Sequence, residues 1–184
     1  HAPAGVAVAA VANFPEGGSD VQRAVRDTAE IVAAGAQEVD VVLPWRALAA
    51  GDEGQAAALL RAVRRECEDR VLKVILESGE LKSTALIALA SRIALAEGAD
   101  FLKTSTGKTP VGATPEAART MLETIAAAAP HVGFKASGGV RRVADAAIYL
   151  DLVEQILGPD ALTPQRLRLG ASALLADIEA VLRP

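Results

Sequence analysis

The sequence predicts an α/β fold in which a parallel sheet is covered by helices. Three observations predict it. Short β-rich runs alternate with amphipathic helical runs six times along the chain, with short connections between them. That alternation requires parallel strands with crossover helices. Within the strand runs, charged residues fall on one parity and apolar residues on the other. The chain has 184 residues, the size of one domain. Residues 1–184 are therefore read as a single (β/α)8, or TIM, barrel domain of which six units are present.

The elements follow in order. Val6 to Asn13 reads as a strand. Ser19 to Ala34 reads as a helix, with Ser19 as N-cap and Gly35 as stop. Glu38 to Leu43 is the second strand. Pro44 ends it, and a short turn through Leu48 leads to a helix from about Asp52 to Glu68. Val71 to Glu77 is the third strand, followed by a helix from Ser83 to Glu97 that Gly98 stops. Asp100 to Thr104 is the fourth strand. Its helix starts at Thr114, has Pro115 at its first position and runs to Ala128. Val132 to Ala136 is a strand, and Arg142 to Leu157 a helix. Leu167 to Leu169 is a short last strand, and a helix from Ser172 to Leu182 closes the pattern.

An open doubly wound sheet and a closed barrel both fit this order. Strand side chains alternate between faces, so Glu38 and Asp40 share a face. So do Lys73, Ile75 and Glu77, then Phe101 and Lys103, then Gly133 and Lys135. The opposite faces carry Val39, Val41, Leu43, Leu72, Val74, Leu76, Leu102 and Phe134. An open sheet would bury those charges under helices. A barrel brings them together on its axis, where they can pair, and is preferred. The count is then two units short. The chain also starts at His1 without an initiator Met, so an N-terminus missing its first two β-α units is expected.

Half the residues are apolar, and the net charge of −4 argues against a nucleic-acid partner while leaving room for a local anion site. No apolar run reaches membrane-spanning length. Cys67 is the one cysteine, so no intrachain disulfide framework exists. The basic residues are 14 Arg and five Lys: Lys73, Lys82, Lys103, Lys108 and Lys135. Where Arg would serve, Arg was used. Arg cannot form a Schiff base, so the surviving lysines in strands point to amine chemistry.

Lys103 and Lys135 each end an apolar run, and a glycine-containing turn follows each. An unpaired buried ammonium is costly. If both share the axis with Asp40, each ammonium disfavours charge on the other, and desolvation adds to the effect. An amine brought towards neutrality can attack a carbonyl. The plain alternative is a structural lysine paired with Glu77 or Asp40. Lys73, at mid-strand, reads equally as a salt-bridged support for Asp40 and as a direct participant.

Barrels often bind phosphate with the loops after their last two strands and a nearby helix N-terminus. Here those loops are Ser137-Gly138-Gly139-Val140-Arg141 and Gly170-Ala171-Ser172, and Gly107-Lys108 adds a glycine and a cation. Each loop alone reads equally as plain turn chemistry. Together they mark a phosphate site. His131, at the start of a strand, lies at the end opposite that site. With His1 it completes the histidines, so no metal and no cofactor are expected. Glu77-Ser78-Gly79-Glu80 reads either as the mouth of the site or as a capped turn.

Glu-Val-Asp-Val-Val at 38–42, Leu-Lys-Val-Ile-Leu-Glu-Ser-Gly at 72–79, Phe-Leu-Lys-Thr-Ser-Thr-Gly-Lys at 101–108 and Gly-Phe-Lys-Ala-Ser-Gly-Gly-Val-Arg at 133–141 resemble the 2-deoxyribose-5-phosphate aldolase family. Arg168-Leu169-Gly170-Ala171-Ser172 fits as well, and the likeness runs from about Val6 to the last helix. It implies a class I, metal-free lyase of deoxyribonucleotide catabolism in the cytoplasm. The implied reaction is reversible cleavage of 2-deoxy-D-ribose 5-phosphate to D-glyceraldehyde 3-phosphate and acetaldehyde. By the resemblance, Lys103 is the Schiff-base lysine, Lys135 tunes its pKa, and Asp40 is the carboxylate of the proton relay. Thr106, Gly107, Lys108, Gly138, Gly139, Val140, Arg141, Gly170 and Ser172 match the substrate-phosphate site. A homodimer is the family expectation.

Three departures stand out. The family's first two β-α units are absent, with an acidic residue and part of the acceptor pocket, which would leave a gap in the barrel and expose strand edges. Ala173 stands where some relatives have a second serine. The chain ends at Pro184 without the longer tail of some members. Two other readings compete: another Schiff-base phosphosugar aldolase of transaldolase type, and a non-catalytic phosphate-binding barrel fragment.

Overall fold

The computed structural model describes residues 5–183; His1 and Pro184 lie outside them. Among the described residues, six strands form one parallel sheet, paired in sequence order. They are β1 (Ala9–Ala12), β2 (Glu38–Val42), β3 (Val71–Ile75), β4 (Phe101–Lys103), β5 (Gly133–Ser137) and β6 (Leu167–Gly170). Eight α-helices accompany them: α1 (Val21–Ala33), α2 (Trp45–Ala49), α3 (Glu53–Glu66), α4 (Ser78–Leu81), α5 (Thr84–Ala96), α6 (Pro115–Ala128), α7 (Val143–Leu157) and α8 (Leu174–Leu182). Among the described residues no helix is long and apolar enough to cross a membrane.

The helices start where local chemistry allows. Ser83 and Thr114 accept from the N–H groups of Leu86 and Ala117, and Asp52 accepts from Gln55. Each such cap stabilises its helix by about 1 kcal/mol. The N-cap of α1 is Asp20, not the expected Ser19: the Asp20 carboxylate accepts from the Arg23 N–H at 3.0 Å. Gly35 and Gly98 turn with φ of +86° and +84°, a conformation glycine adopts without strain.

Four boundaries differ from expectation. The first strand begins at Ala9 instead of Val6. The segment through Trp45 is a short helix, not a turn. The third strand ends at Ile75. Glu77 lies beyond it at φ +55° and leads into the unexpected α4. The last helix begins at Leu174 with Ala173 as its N-cap residue, which leaves Ser172 in the loop.

The sheet is curled. Adjacent strands are separated by about 4.8 Å, so in a flat sheet β2 and β6 would stand about 19 Å apart. Yet the Arg168 guanidinium of β6 lies 3.1 Å from the Glu38 carboxylate of β2. Lys135 of β5 likewise reaches Asp40 of β2, at 2.9 Å. Only a sheet rolled around these side chains permits both contacts. The six strands therefore form a half-barrel of the (β/α) type, with β1 and β6 as its edges.

The expected parity holds. Val39, Val41, Leu72, Val74, Leu102, Phe134 and Ala136 point outward and join one apolar core with the helices. The concave side holds Glu38, Asp40, Lys73, Lys103 and Lys135. Phe101 closes the floor. Its ring lies so near Gly133 that a Cβ there would come within 2.3 Å of it, so only glycine fits.

Candidate active site

The register places four strands' worth of chemistry at adjoining levels. Asp40 is opposite Lys73, Ile75 is opposite Lys103, and Lys103 is opposite Lys135. Three ammonium groups converge on one carboxylate. Lys103 Nζ lies 2.8 Å and Lys135 Nζ 2.9 Å from Asp40 Oδ2, and Lys73 Nζ lies 2.6 Å from Asp40 Oδ1. Lys73 also reaches Glu38 Oε2 at 2.7 Å. Glu38 in turn holds Arg168, whose guanidinium stacks over Phe101.

Four cations thus meet two carboxylates in a largely dry interior. Lys73 is fully buried and Lys103 nearly so, at 6 % exposure. Burial pushes the Asp40 carboxyl up, but the charges of Lys103, Lys135 and Lys73 outweigh it and hold the group well below the usual carboxylate range. Glu38 is also lowered, because Lys73 and Arg168 overcome its desolvation. Lys103 shifts the other way from an ordinary surface lysine. Burial, more than any neighbour, lowers its pKa; Lys135 and Lys73 lower it further, against the pull of Asp40. The emphasis differs from the sequence reading, in which the like charge led and desolvation followed.

The cluster separates the lysines by environment. Lys73 lies between two carboxylates, Glu38 and Asp40. It is an anchor that fixes Asp40 Oδ1. Lys103 has one carboxylate contact and two cationic neighbours, and burial, with those neighbours, lowers its pKa. A neutral amine at the C-terminal end of a barrel strand can add to a carbonyl. Glu77 takes none of these lysines; its carboxylate binds Thr106 and Thr109.

The second feature is a pocket of about 390 Å³ beside the cluster. Thr106, Gly107, Gly138, Gly139, Val140, Arg141, Gly170 and Ser172 all line it, together with Ser137, Ala171 and Ala173. Among the described residues, the N–H groups of Gly107, Gly139, Val140 and Ser172 have no acceptor, and bare backbone N–H groups in such loops can bind an anion. A Cβ on Gly170 would come within 2.7 Å of Ser137 Oγ and 3.4 Å of Lys135 Cε. That closeness ties the pocket to the lysines.

Lys108 and the N-terminus of α7 stand apart from this pocket. Lys108 does not line it; the residue is exposed, and its N–H donates to Thr106 Oγ1 at 3.1 Å. The N-terminus of α7 is not free for an anion either. Asp145 accepts from the N–H groups of Arg141 and Arg142, and Asp177 accepts from Val143. The pocket is lined by glycine loops and the approach to α8.

Sequence reasoning also missed several members. Glu38 had the parity of Asp40 and could have been paired with Lys73 on that ground. Gly112 carries no local signal. It is required because its Cα packs on the backbone of Gly138, where a Cβ would meet the Gly138 carbonyl oxygen at 2.4 Å. Ala113 N–H then donates to the same carbonyl at 2.9 Å.

Comparison with known proteins agrees with this geometry. A family model described as DeoC/LacD family aldolase matches residues 2–178. A deoxyribose-phosphate aldolase of Agrobacterium fabrum (strain C58 / ATCC 33970) is 50 % identical over 178 residues, which are 96 % of this chain and 69 % of that protein. A crystal structure from Coccidioides immitis, of a provisionally assigned deoxyribose-phosphate aldolase, superposes with a TM-score of 0.83 at 30 % identity. It covers 96 % of this chain and 64 % of its own. The tetrameric deoxyribose phosphate aldolase from Aeropyrum pernix gives 0.73 at 25 % identity, over 96 % of this chain and 68 % of its own. The chain thus spans about two thirds of the length of these relatives.

Proposed function

The chain belongs to the DeoC/LacD aldolase family, and from that premise we propose that it cleaves 2-deoxy-D-ribose 5-phosphate reversibly to D-glyceraldehyde 3-phosphate and acetaldehyde. The observation that carries the reading is the state of Lys103: buried, lowered in pKa, 2.8 Å from Asp40 and surrounded by further cations. Such an amine is suited to form a Schiff base.

Neutral Lys103 attacks C1 of the open-chain sugar. Loss of water from the carbinolamine gives an iminium, which is the electron sink. The C3 hydroxyl then gives up its proton and the C2–C3 bond breaks. Its electron pair moves into the enamine on Lys103, and D-glyceraldehyde 3-phosphate leaves. Protonation of the enamine at C2 and hydrolysis release acetaldehyde and restore the amine.

Asp40 begins as a carboxylate because three ammonium groups hold it ionised. Its Oδ2 is shared by Lys103 and Lys135. Once the Lys103 nitrogen is an iminium, that oxygen is open to a water carrying the C3 proton, and Lys135 holds it in place. Lys73 keeps the carboxylate from turning. The phosphate sits in the glycine-loop pocket, where bare N–H groups hold it and fix C1 over Lys103.

The test is borohydride reduction in the presence of acetaldehyde, followed by peptide mapping. A two-carbon adduct on Lys103 is expected. Absence of an adduct on folded protein refutes the reading, and turnover of a ketose phosphate in place of the deoxy-aldose phosphate assigns a different Schiff-base aldolase.

A further inference from the structure

The interior carboxylate of Glu77 touches none of the lysines, and its backbone is in a conformation that a non-glycine residue avoids. It stands at φ +55° and ψ +54°, a strained conformation that persists only where the surroundings enforce it. They do. The N–H groups on either side are fixed to the end of β4: Leu76 donates to the Lys103 carbonyl and Ser78 to the Thr104 carbonyl, both at 2.9 Å. Gly79 lies so close to Val111 that a Cβ would come within 2.2 Å of the Val111 oxygen.

The side chain then serves one loop. Thr106 Oγ1 donates to Glu77 Oε2 at 2.5 Å, and Thr109 Oγ1 to Oε1 at 3.1 Å. The Thr106 N–H also points at this carboxylate, at 3.3 Å. Glu77 is fully buried. The loop it grips follows Lys103 directly and supplies Thr106 and Gly107 to the anion pocket. The opposite wall of that pocket, at Gly138, is held to the same loop through Gly112 and Ala113.

We propose that Glu77 is a positioning residue that sets the distance between Lys103 and the anion pocket by clamping residues 106–109. It touches neither the sugar carbon that reacts nor the phosphate. It acts through Thr106 and Gly107, so its effect falls on the phosphate end of the substrate. This rests on the function proposed above.

The experiment compares wild type with Glu77→Gln and with Thr109→Val. Both are assayed on 2-deoxyribose 5-phosphate and on unphosphorylated 2-deoxyribose, and inorganic phosphate affinity is measured by titration. Glu77→Gln is expected to lower kcat/KM on the phosphorylated sugar by about tenfold or more, since small misplacements are amplified in rate. Activity on the unphosphorylated sugar should stay within about twofold, and phosphate affinity should fall in parallel with the first loss. Thr109→Val, which keeps the side-chain shape, should give the same pattern more weakly, and it tests the clamp even where the Glu77 variant folds poorly. Equal losses on both sugars, or unchanged phosphate affinity, overturn the proposal. A wild-type chain that binds phosphate but cleaves neither sugar refutes the proposed function, and Glu77 is then judged on phosphate affinity alone.

Discussion

The lysine cluster and the anion pocket adjoin each other and are built on opposite principles. The cluster is made of side chains on rigid strands, is nearly dry and carries excess positive charge. The pocket is made of loop backbone, is open to solvent and uses glycines and free N–H groups. The difference suits the tasks proposed for them. Lowering the pKa of an amine requires burial and fixed neighbours, which strands provide. Holding a phosphate that arrives from water and leaves again requires donors that are already in place and still accessible.

The comparison is most easily broken on the side-chain half. Lys103→Leu removes the proposed nucleophile, so kcat should fall on the order of 10⁴-fold or more, with circular dichroism and Tm little changed. A variant that retains turnover would move the covalent step to another amine. Next comes Asp40→Asn, which leaves Lys103 and Lys135 without a carboxylate and Lys73 with Glu38 alone. Removing one partner of a buried charged network costs roughly 3–5 kcal/mol, to be read from urea unfolding.

The same residue gives the stability a pH dependence. The folded pKa of Asp40 is depressed, so its contribution is complete above the unfolded carboxyl value of about 3.9. It is lost as pH falls below that value towards the lower folded one. Lys103 gives a slope of the same sign in a more alkaline window, where deprotonation relieves a penalty of burial. Its folded pKa is lowered, so the unfolded chain binds more protons between the folded value and about 10.4, and stability rises with pH through that window.

Lys135→Met sharpens the balance between burial and like charge. Removing that ammonium should move the acidic limb of kcat/KM to higher pH, with activity partly recovered in alkaline buffer. Because burial is the larger cause, Lys103 should remain below an ordinary lysine. An unshifted limb would remove Lys135 from the tuning role.

On the backbone half, Gly138→Ala is the informative change. Gly138 has φ +84°, and a Cβ would stand 3.0 Å from the Gly112 Cα. KM for the phosphorylated sugar should rise by about tenfold, with a smaller change in kcat, given a strain of order 1–3 kcal/mol in the loop. The smallest effect is expected at Lys108→Ala. The residue is exposed and does not line the pocket, so KM should change by less than about threefold and the change should fade with added salt. A larger effect would bring Lys108 into the phosphate site.

Much of the fold was legible because strand parity is a local property. Asp40, Lys73, Lys103 and Lys135 could be placed on one face by counting residues, and the half-barrel puts them within hydrogen-bond reach. The glycine loops that line the pocket were legible because their turns leave a mark in composition. Ser19 and Asp20 were not separable, since both are good caps and the choice depends on which side chain faces the Arg23 N–H. The direction of Lys108 was not legible, because a cation next to a glycine loop can point either way; the residue does not line the pocket.

The sequence by itself determined the alternation of strands and helices, the face each strand charge occupies, and the lysine chemistry that those charges imply. The reason is that backbone periodicity fixes side-chain direction without reference to distant residues. Only the tertiary structure decided how the charges divide: which lysine Glu38 anchors, which one burial drives towards neutrality, and which loop Glu77 holds. Those outcomes depend on curling the sheet until β2 meets β5 and β6. Distances, desolvation and close backbone approaches such as Gly112 on Gly138 exist only once the strands have closed around them.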